Sequence, residues 1–307
     1  MKHVNIAILD IEKRFAKELG KKGSESDFTL YNFKNTDAVL IPYEPTLYPD
    51  KIQPLLYSLQ SADYALLVVR SISKELGEMI VALEAIQKPG FIIYAGVEKE
   101  QLAPLLKGTI VEKYEELADE PIAVREKFIS LTPPIRDGPT KVPIDHCFDV
   151  KSVGTVALGI VVRGSVLTHQ DLELAPSGKM VSAKSLQVQD VDVKEAPCGS
   201  RVGVCVKGAD VNEVDRGFVF AEKGSLISSK QFDCDVSVSK FYKEEIKEGN
   251  QLYVSFGMQY MLGRPVKIAG NRFTFECDKP IAFEKGERFL LVNPSGKLRI
   301  VGSGIVV

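Results

Sequence analysis

Between Ile144 and Leu226 the chain repeats one pattern: short β-branched runs, cut roughly every eight to twelve residues by Gly, Pro or Asp. No helical periodicity interrupts it. Strands this short and this regularly punctuated argue a small closed or nearly closed β-barrel. Gly154, Gly159 and Gly164 fall five apart around an apolar run, as expected where a coiled strand must bend. Arg163-Gly164 marks a tight turn.

The rest of the 307 residues divides around that barrel. With 45% hydrophobic residues the chain is long enough for two or three domains, each with its own core. Residues 1–130 alternate apolar runs with helical stripes. Val4 to Leu9 reads as a buried strand, followed by a helix capped by Asp10 and carrying Ile11, Phe15 and Leu19 on one face. Phe28 to Phe33, Asp37 to Ile41, Ala65 to Val69 and Phe91 to Tyr94 read as further strands. Ile52, Leu55, Leu56 and Leu59, then Met79, Ile80, Leu83 and Ile86, make helix faces. This alternation argues a doubly wound, mostly parallel sheet covered on both faces. An acidic helical segment holding Glu112, Glu115, Glu116, Asp119 and Glu120 is expected next, then a helix opened by Pro121. Residues 131–139, rich in Pro and Gly, form a stiff linker. The first barrel then occupies 140–226 and a second all-β domain 227–307, with strands expected at Phe232 to Val238, Leu252 to Gly257, Arg272 to Glu276, Arg288 to Val292 and Lys297 to Val301.

Net charge is −2, so nothing global draws the chain to nucleic acid or membrane. By segment the formal charge is −4 for residues 1–130, −1 for 131–225 and +3 for 226–307. Five cysteines, an odd number without a C-x-x-C pair, suit reduced thiols in the cytoplasm and argue against a disulfide framework or a zinc ribbon. Asp145-His146-Cys147 places a thiol beside an imidazole, but neighbours on a strand point to opposite faces, which argues against a nucleophile and base. Gly154 to Gly159 has the spacing of a phosphate loop, yet it lies in a strand and lacks the following Lys-Ser/Thr. No apolar run reaches the length of a membrane span.

Four separated motifs carry a resemblance: Val153-Gly154-Thr155-Val156-Ala157 with Gly159, Arg163-Gly164, Ala196 to Gly203, and Val214-Asp215-Arg216-Gly217. In this order they resemble the second domain of translational GTPases, and among these the archaeal selenocysteine-specific elongation factors, with elongation factor Tu a better-known relative. Ser61 to Val69 resembles the strand after the family's second switch, and Gly296 to Val306 its closing strands. The resemblance thus implies an α/β nucleotide domain followed by two β-barrels.

The same comparison implies losses. The first turn, Asp10-Ile11-Glu12-Lys13-Arg14-Phe15, holds no glycine and two carboxylates where the family grips phosphate. Pro42-Tyr43-Glu44-Pro45 stands in place of Asp-x-Pro-Gly, and Tyr94-Ala95-Gly96-Val97 in place of Asn-Lys-x-Asp. The expectation is a chain without GTP hydrolysis, without catalytic residues, and with no cofactor or metal. As partners the resemblance implies tRNA or the ribosome, or alternatively a translation-factor protein that this chain pairs with or competes against. Gln187 matches a segment near the terminal adenosine of bound tRNA, and Lys207 a position that is usually basic. Lys240, Lys243, Arg264, Lys267, Arg272 and Arg299 are the further cations from which a backbone-binding surface could be built. An ordinary solvated barrel face is the alternative for all of them. Tyr253, Phe256 and Tyr260 fall on strand periodicity and are expected in the core rather than in a base-stacking platform.

Overall fold

The computed structural model describes every residue, Met1 to Val307. Contacts divide it into two units: Met1–Pro134 with Ser237–Glu245 and Leu290–Gly304, and Ile135–Val236 with Ile246–Phe289 and Ile305–Val307.

The first unit contains β1 (Lys2–Asp10), α1 (Ala16–Leu19), β2 (Lys21–Glu25), β3 (Thr29–Lys34), β4 (Ala38–Glu44), α2 (Gln53–Ser61), β5 (Tyr64–Val69), α3 (Lys74–Ile86), β6 (Gly90–Tyr94), α4 (Lys99–Leu106), β7 (Glu115–Glu116) and α5 (Pro121–Ser130). They build one sheet in the order β2-β3-β4-β1-β5-β6-β7. From β4 to β7 neighbours run parallel, while β2 and β3 add an antiparallel edge. Strands at the sheet centre are apolar on both faces because helices cover both. Phe15 and Leu19 of the α1 region and Val124 and Phe128 of α5 pack with Ile6, Ile8, Leu66 and Val68 on one face. Helix α3 starts cleanly because Ser73 accepts the N–H of Leu76.

Two local expectations change here. The helix after β1 is a single turn, Ala16–Leu19, because the Asp10 carboxylate binds the N–H groups of residues 12, 14 and 15 within the turn. The acidic segment is not helical: a 3-10 turn at Ile110–Lys113 leads to the edge strand β7, where Glu115 and Glu116 gain backbone pairing with Phe91 and Ile92. Lys127 and Lys99 neutralise those two carboxylates at 2.7 Å and 2.9 Å.

The first barrel uses β8 (Lys141–Val150), β9 (Gly154–Ile160), β10 (Ser165–Leu167), β11 (Asp171–Ala175), β12 (Lys179–Val188), β13 (Val191–Val193), β14 (Glu195–Pro197), β15 (Arg201–Lys207) and β16 (Val219–Ala221). The ring β11-β16-β8-β9-β15-β12 closes through antiparallel pairing of β11 with β12. Strand β13 extends β12, and β10 pairs separately with β14. Its filling is mostly aliphatic, with Val142, Ile144, Leu172, Leu174, Leu186 and Val202 buried around one buried aromatic ring, that of Phe220. Gly159 has a close-approach role: a Cβ there would collide with the carbonyl oxygen of Pro143 on β8.

A second six-stranded barrel closes in the order β17-β20-β19-β18-β21-β22. Its strands are β17 (Ile227–Val238), β18 (Leu252–Phe256), β19 (Gln259–Ala269), β20 (Arg272–Phe283), β21 (Arg288–Val292) and β22 (Ile300–Val306). Its core is aromatic. Phe232 lies 5.2 Å to 6.0 Å, ring to ring, from Phe256, Phe275, Phe283 and Phe289. Each ring contributes roughly 1.5–3 kcal/mol by burial. Phe256 belongs to this core, whereas Tyr253 and Tyr260 stack on each other at 4.5 Å and are only half-buried. The last strand begins at Ile300 rather than Lys297, because residues 293–299 form the preceding turn, with Asn293 donating to the Arg299 carbonyl at 2.8 Å.

Candidate functional site

In an open α/β sheet the ligand crevice lies at the carboxyl ends of the strands where connections diverge. Here that point is β1, flanked by β4 on one side and β5 on the other. Its last residue is Asp10, with a side chain that is wholly buried. Oδ1 accepts the Glu12 N–H at 3.2 Å and Arg70 Nε at 2.9 Å. Oδ2 accepts the N–H groups of Arg14 and Phe15, both at 3.0 Å, and Arg70 Nη2 at 3.1 Å. Lys13, with φ of 54°, supplies the left-handed step that turns these amides inward. Inward amides and a guanidinium fork are what an anion-binding turn uses. In this turn the anion is the chain's own carboxylate. Burial opposes the ionised form, but Arg70 and the amides of Arg14 and Phe15 outweigh it and hold the Asp10 carboxyl below the usual range.

At the end of β4, Glu44 is 4% exposed. Tyr31 donates to its Oε2 at 3.1 Å, while Oε1 has no hydrogen-bond partner. Burial, reinforced by the nearby Asp10 charge, raises the Glu44 pKa against the opposing effect of Tyr31, Lys13 and Lys17. The crevice is thus lined by one filled carboxylate and one that resists ionisation.

In the first barrel, Gln187 is exposed on β12 and donates to Asp192 at 2.9 Å. Lys207 is exposed at the end of β15, opposite Ser182. More organised than either is a cluster that the sequence reading did not single out as a site. Asp145 sits at a bulge in β8, is 2% exposed, and receives both Nη atoms of Arg201 and the Nδ1 edge of His146 at 2.8 Å. Arg216 donates to the Asp145 carbonyl at 2.9 Å. The arginines within two of the quoted motifs therefore hold the barrel together. Burial disfavours the Asp145 carboxylate, yet Arg201 and His146 overcome this and lower its pKa. Cys147 packs against the barrel core, and burial raises its thiol pKa. All five cysteines are free.

The remaining cations are mostly engaged. Arg264 pairs with Glu276 at 2.9 Å and Arg272 with Asp235 at 2.8 Å, both across exposed strand pairs. Lys240 donates to the Lys107 carbonyl at 2.9 Å and Lys243 to the Lys240 carbonyl at 2.7 Å. Arg299 is bound to Glu78, whose side chain is 2% exposed, and donates to the Pro49 carbonyl at 2.8 Å, so it is not a free surface cation. Lys267 is exposed on β19. Lys240, Lys243 and Arg299 belong to the first unit and the other five candidates to the second. No helix is long and apolar enough to cross a membrane.

An α/β sheet followed by two closed six-stranded barrels is the core architecture of translation elongation factors, and residues 154–221 match the family Elongation factor Tu domain 2. Among solved structures, translation elongation factor SelB from Methanococcus maripaludis in complex with the GTP analogue GppNHp superposes with a TM-score of 0.82 at 20% identity, covering 100% of this chain and 79% of that one. A bacterial selenocysteine-specific elongation factor, EF-Sec, gives a TM-score of 0.85 at 18% identity; this chain spans 58% of its length. At the sequence level the chain is 36% identical over 308 residues to Uncharacterized protein MJ0325 of Methanocaldococcus jannaschii, covering 99% of each. It belongs to the same family as that protein, built on the selenocysteine-factor fold.

Proposed function

We propose that this protein is a translation-associated binding protein, a paralogue of the selenocysteine-specific elongation factor that acts in the cytoplasm without hydrolysing GTP. The observation that carries the reading is the Asp10 carboxylate. It consumes the inward amides of residues 12, 14 and 15 together with the Arg70 fork, leaving no donor set for a β- or γ-phosphate. Glu44 at the neighbouring strand end adds a buried acid where an incoming phosphate would meet it. Retention of an elongation factor Tu second domain supports tRNA or the ribosome as the partner, with Gln187 and Lys207 on its surface.

Calorimetric titration with GDP, GTP and a non-hydrolysable analogue, with and without Mg²⁺, tests the first half. No binding up to millimolar nucleotide is expected, and micromolar affinity with turnover would sink it. Salt-dependent affinity for tRNA or ribosomes tests the second half. A second reading, a regulatory module that pairs with or competes against the active factor, is favoured by the engagement of Arg264, Arg272 and Arg299 with acids. It predicts a protein partner that co-purifies after nuclease treatment.

A further inference from the structure

Residues Tyr48 and Pro49, helix α3 and the turn before β22 meet within the first unit on a single carboxylate. Glu78 is 2% exposed and Tyr48 1%. Glu78 Oε1 accepts the Arg299 backbone N–H at 3.2 Å and Arg299 Nε at 2.9 Å. Glu78 Oε2 accepts Arg299 Nη2 and lies 3.0 Å from the Tyr48 hydroxyl, which shares its one proton between this oxygen and the Glu75 carbonyl on the same helix, also at 3.0 Å. The third nitrogen, Nη1, reaches the Pro49 carbonyl, and the guanidinium carbon lies 5.5 Å from the centroid of the Tyr48 ring. Nearby in the same unit, the 237–245 segment is fastened to the end of α4 and to β22, where Lys240 donates to the Lys107 carbonyl and the Ser239 N–H binds the Val301 carbonyl.

We propose that Arg299 is a permanent clamp. By saturating Glu78 and holding Pro49 it makes the segment 45–52 a fixed joint that tethers α3 to the segment 290–304, in one arrangement that does not depend on a bound nucleotide. This deepens the reading under Proposed function, since a binding protein that does not cycle needs a unit that stays set. The physical basis is that a buried carboxylate stripped of its partner is costly, so the three segments can only release together. Tyr48 contributes because its hydroxyl is a donor that cannot be replaced by water at 1% exposure.

Hydrogen–deuterium exchange on the full chain tests it, comparing wild type with Glu78→Gln and with the milder Tyr48→Phe. The wild type should show slow exchange over 45–52 and 296–304, unchanged by GTP or GDP with Mg²⁺. In Glu78→Gln both segments should exchange at least ~100-fold faster together. Tyr48→Phe, which keeps the ring and the ion pair, should accelerate them about tenfold. Faster exchange confined to α3, or a nucleotide-induced change over 45–52 in the wild type, overturns the clamp. The two readings fail separately. Calorimetric nucleotide binding with both segments still protected removes the function reading and leaves the clamp. Absence of binding with freely exchanging segments does the reverse.

Discussion

Arg70, just after β5, lays its Nε and Nη2 on the two carboxylate oxygens of Asp10, at the end of the adjacent parallel strand β1, at 2.9 Å and 3.1 Å. The pair ties the carboxyl ends of the two central strands together. Replacing Asp10 with Asn removes the charge while nearly preserving shape, and leaves the Arg70 guanidinium, 16% exposed, with only the longer Glu12 contact at 3.8 Å. The expected loss is about 3 kcal/mol of unfolding free energy, read by urea denaturation. A loss below about 0.5 kcal/mol would mean that the pair is not a structural anion site.

The pH dependence of stability separates Asp10 from Glu44. Asp10 has a folded pKa below its unfolded value of about 3.9, so its contribution is complete above that value and disappears as pH falls through the depressed folded pKa. Glu44 has a folded pKa above its unfolded value of about 4.3: the folded chain keeps a proton that the unfolded chain releases, and stability falls as pH rises through the raised folded value. Asp10→Asn should therefore flatten the acid limb, and Glu44→Gln the decline that starts near pH 4.3. Urea midpoints measured across the pH range for both variants decide this.

Arg201 and Arg272 are both arginines on strands, and their expected contributions differ sharply. Arg201 binds an Asp145 that is 2% exposed, so Arg201→Ala should destabilise the chain by about 3–5 kcal/mol. Arg272 meets Asp235 with both side chains more than 40% exposed, so Arg272→Ala should change stability by less than about 1 kcal/mol. Thermal unfolding of the two variants side by side tests the ranking. Equal losses would contradict the assignment of Asp145 as the barrel's buried tie point.

If the barrels carry RNA, the contribution should come from exposed cations without acidic partners. Neutralising Lys207 and Lys267 together is expected to weaken tRNA or ribosome binding and lower the slope of log affinity against log salt by about 2. Arg264→Gln should have a smaller effect, because Glu276 already offsets that charge. A slope unchanged by the lysine pair would move the partner surface elsewhere.

Much of the architecture is legible in the sequence. Period-two apolar runs and Gly or Pro punctuation identify the barrels because strand pairing and tight turns constrain residues close in sequence. The sheet strands Val4 to Leu9 and Ala65 to Val69 were equally legible, since burial on both faces demands unbroken apolar runs. Edge strand β2, with its polar Lys21–Glu25, gave no such signal, and neither did the two-residue β7.

The chain alone determined that the first turn lacks glycine and carries Asp10 and Glu12. Only the tertiary structure decided that Asp10 would seize the turn's amides and Arg70, 60 residues away, or that Arg299 would leave the solvent to bind Glu78, 221 residues away. Charge type and local spacing are written in sequence, but whether a cation is free or bound depends on which distant strand or helix folding brings beside it. That is a property of packing, where a buried carboxylate must be paired and takes whichever donor the fold places within reach.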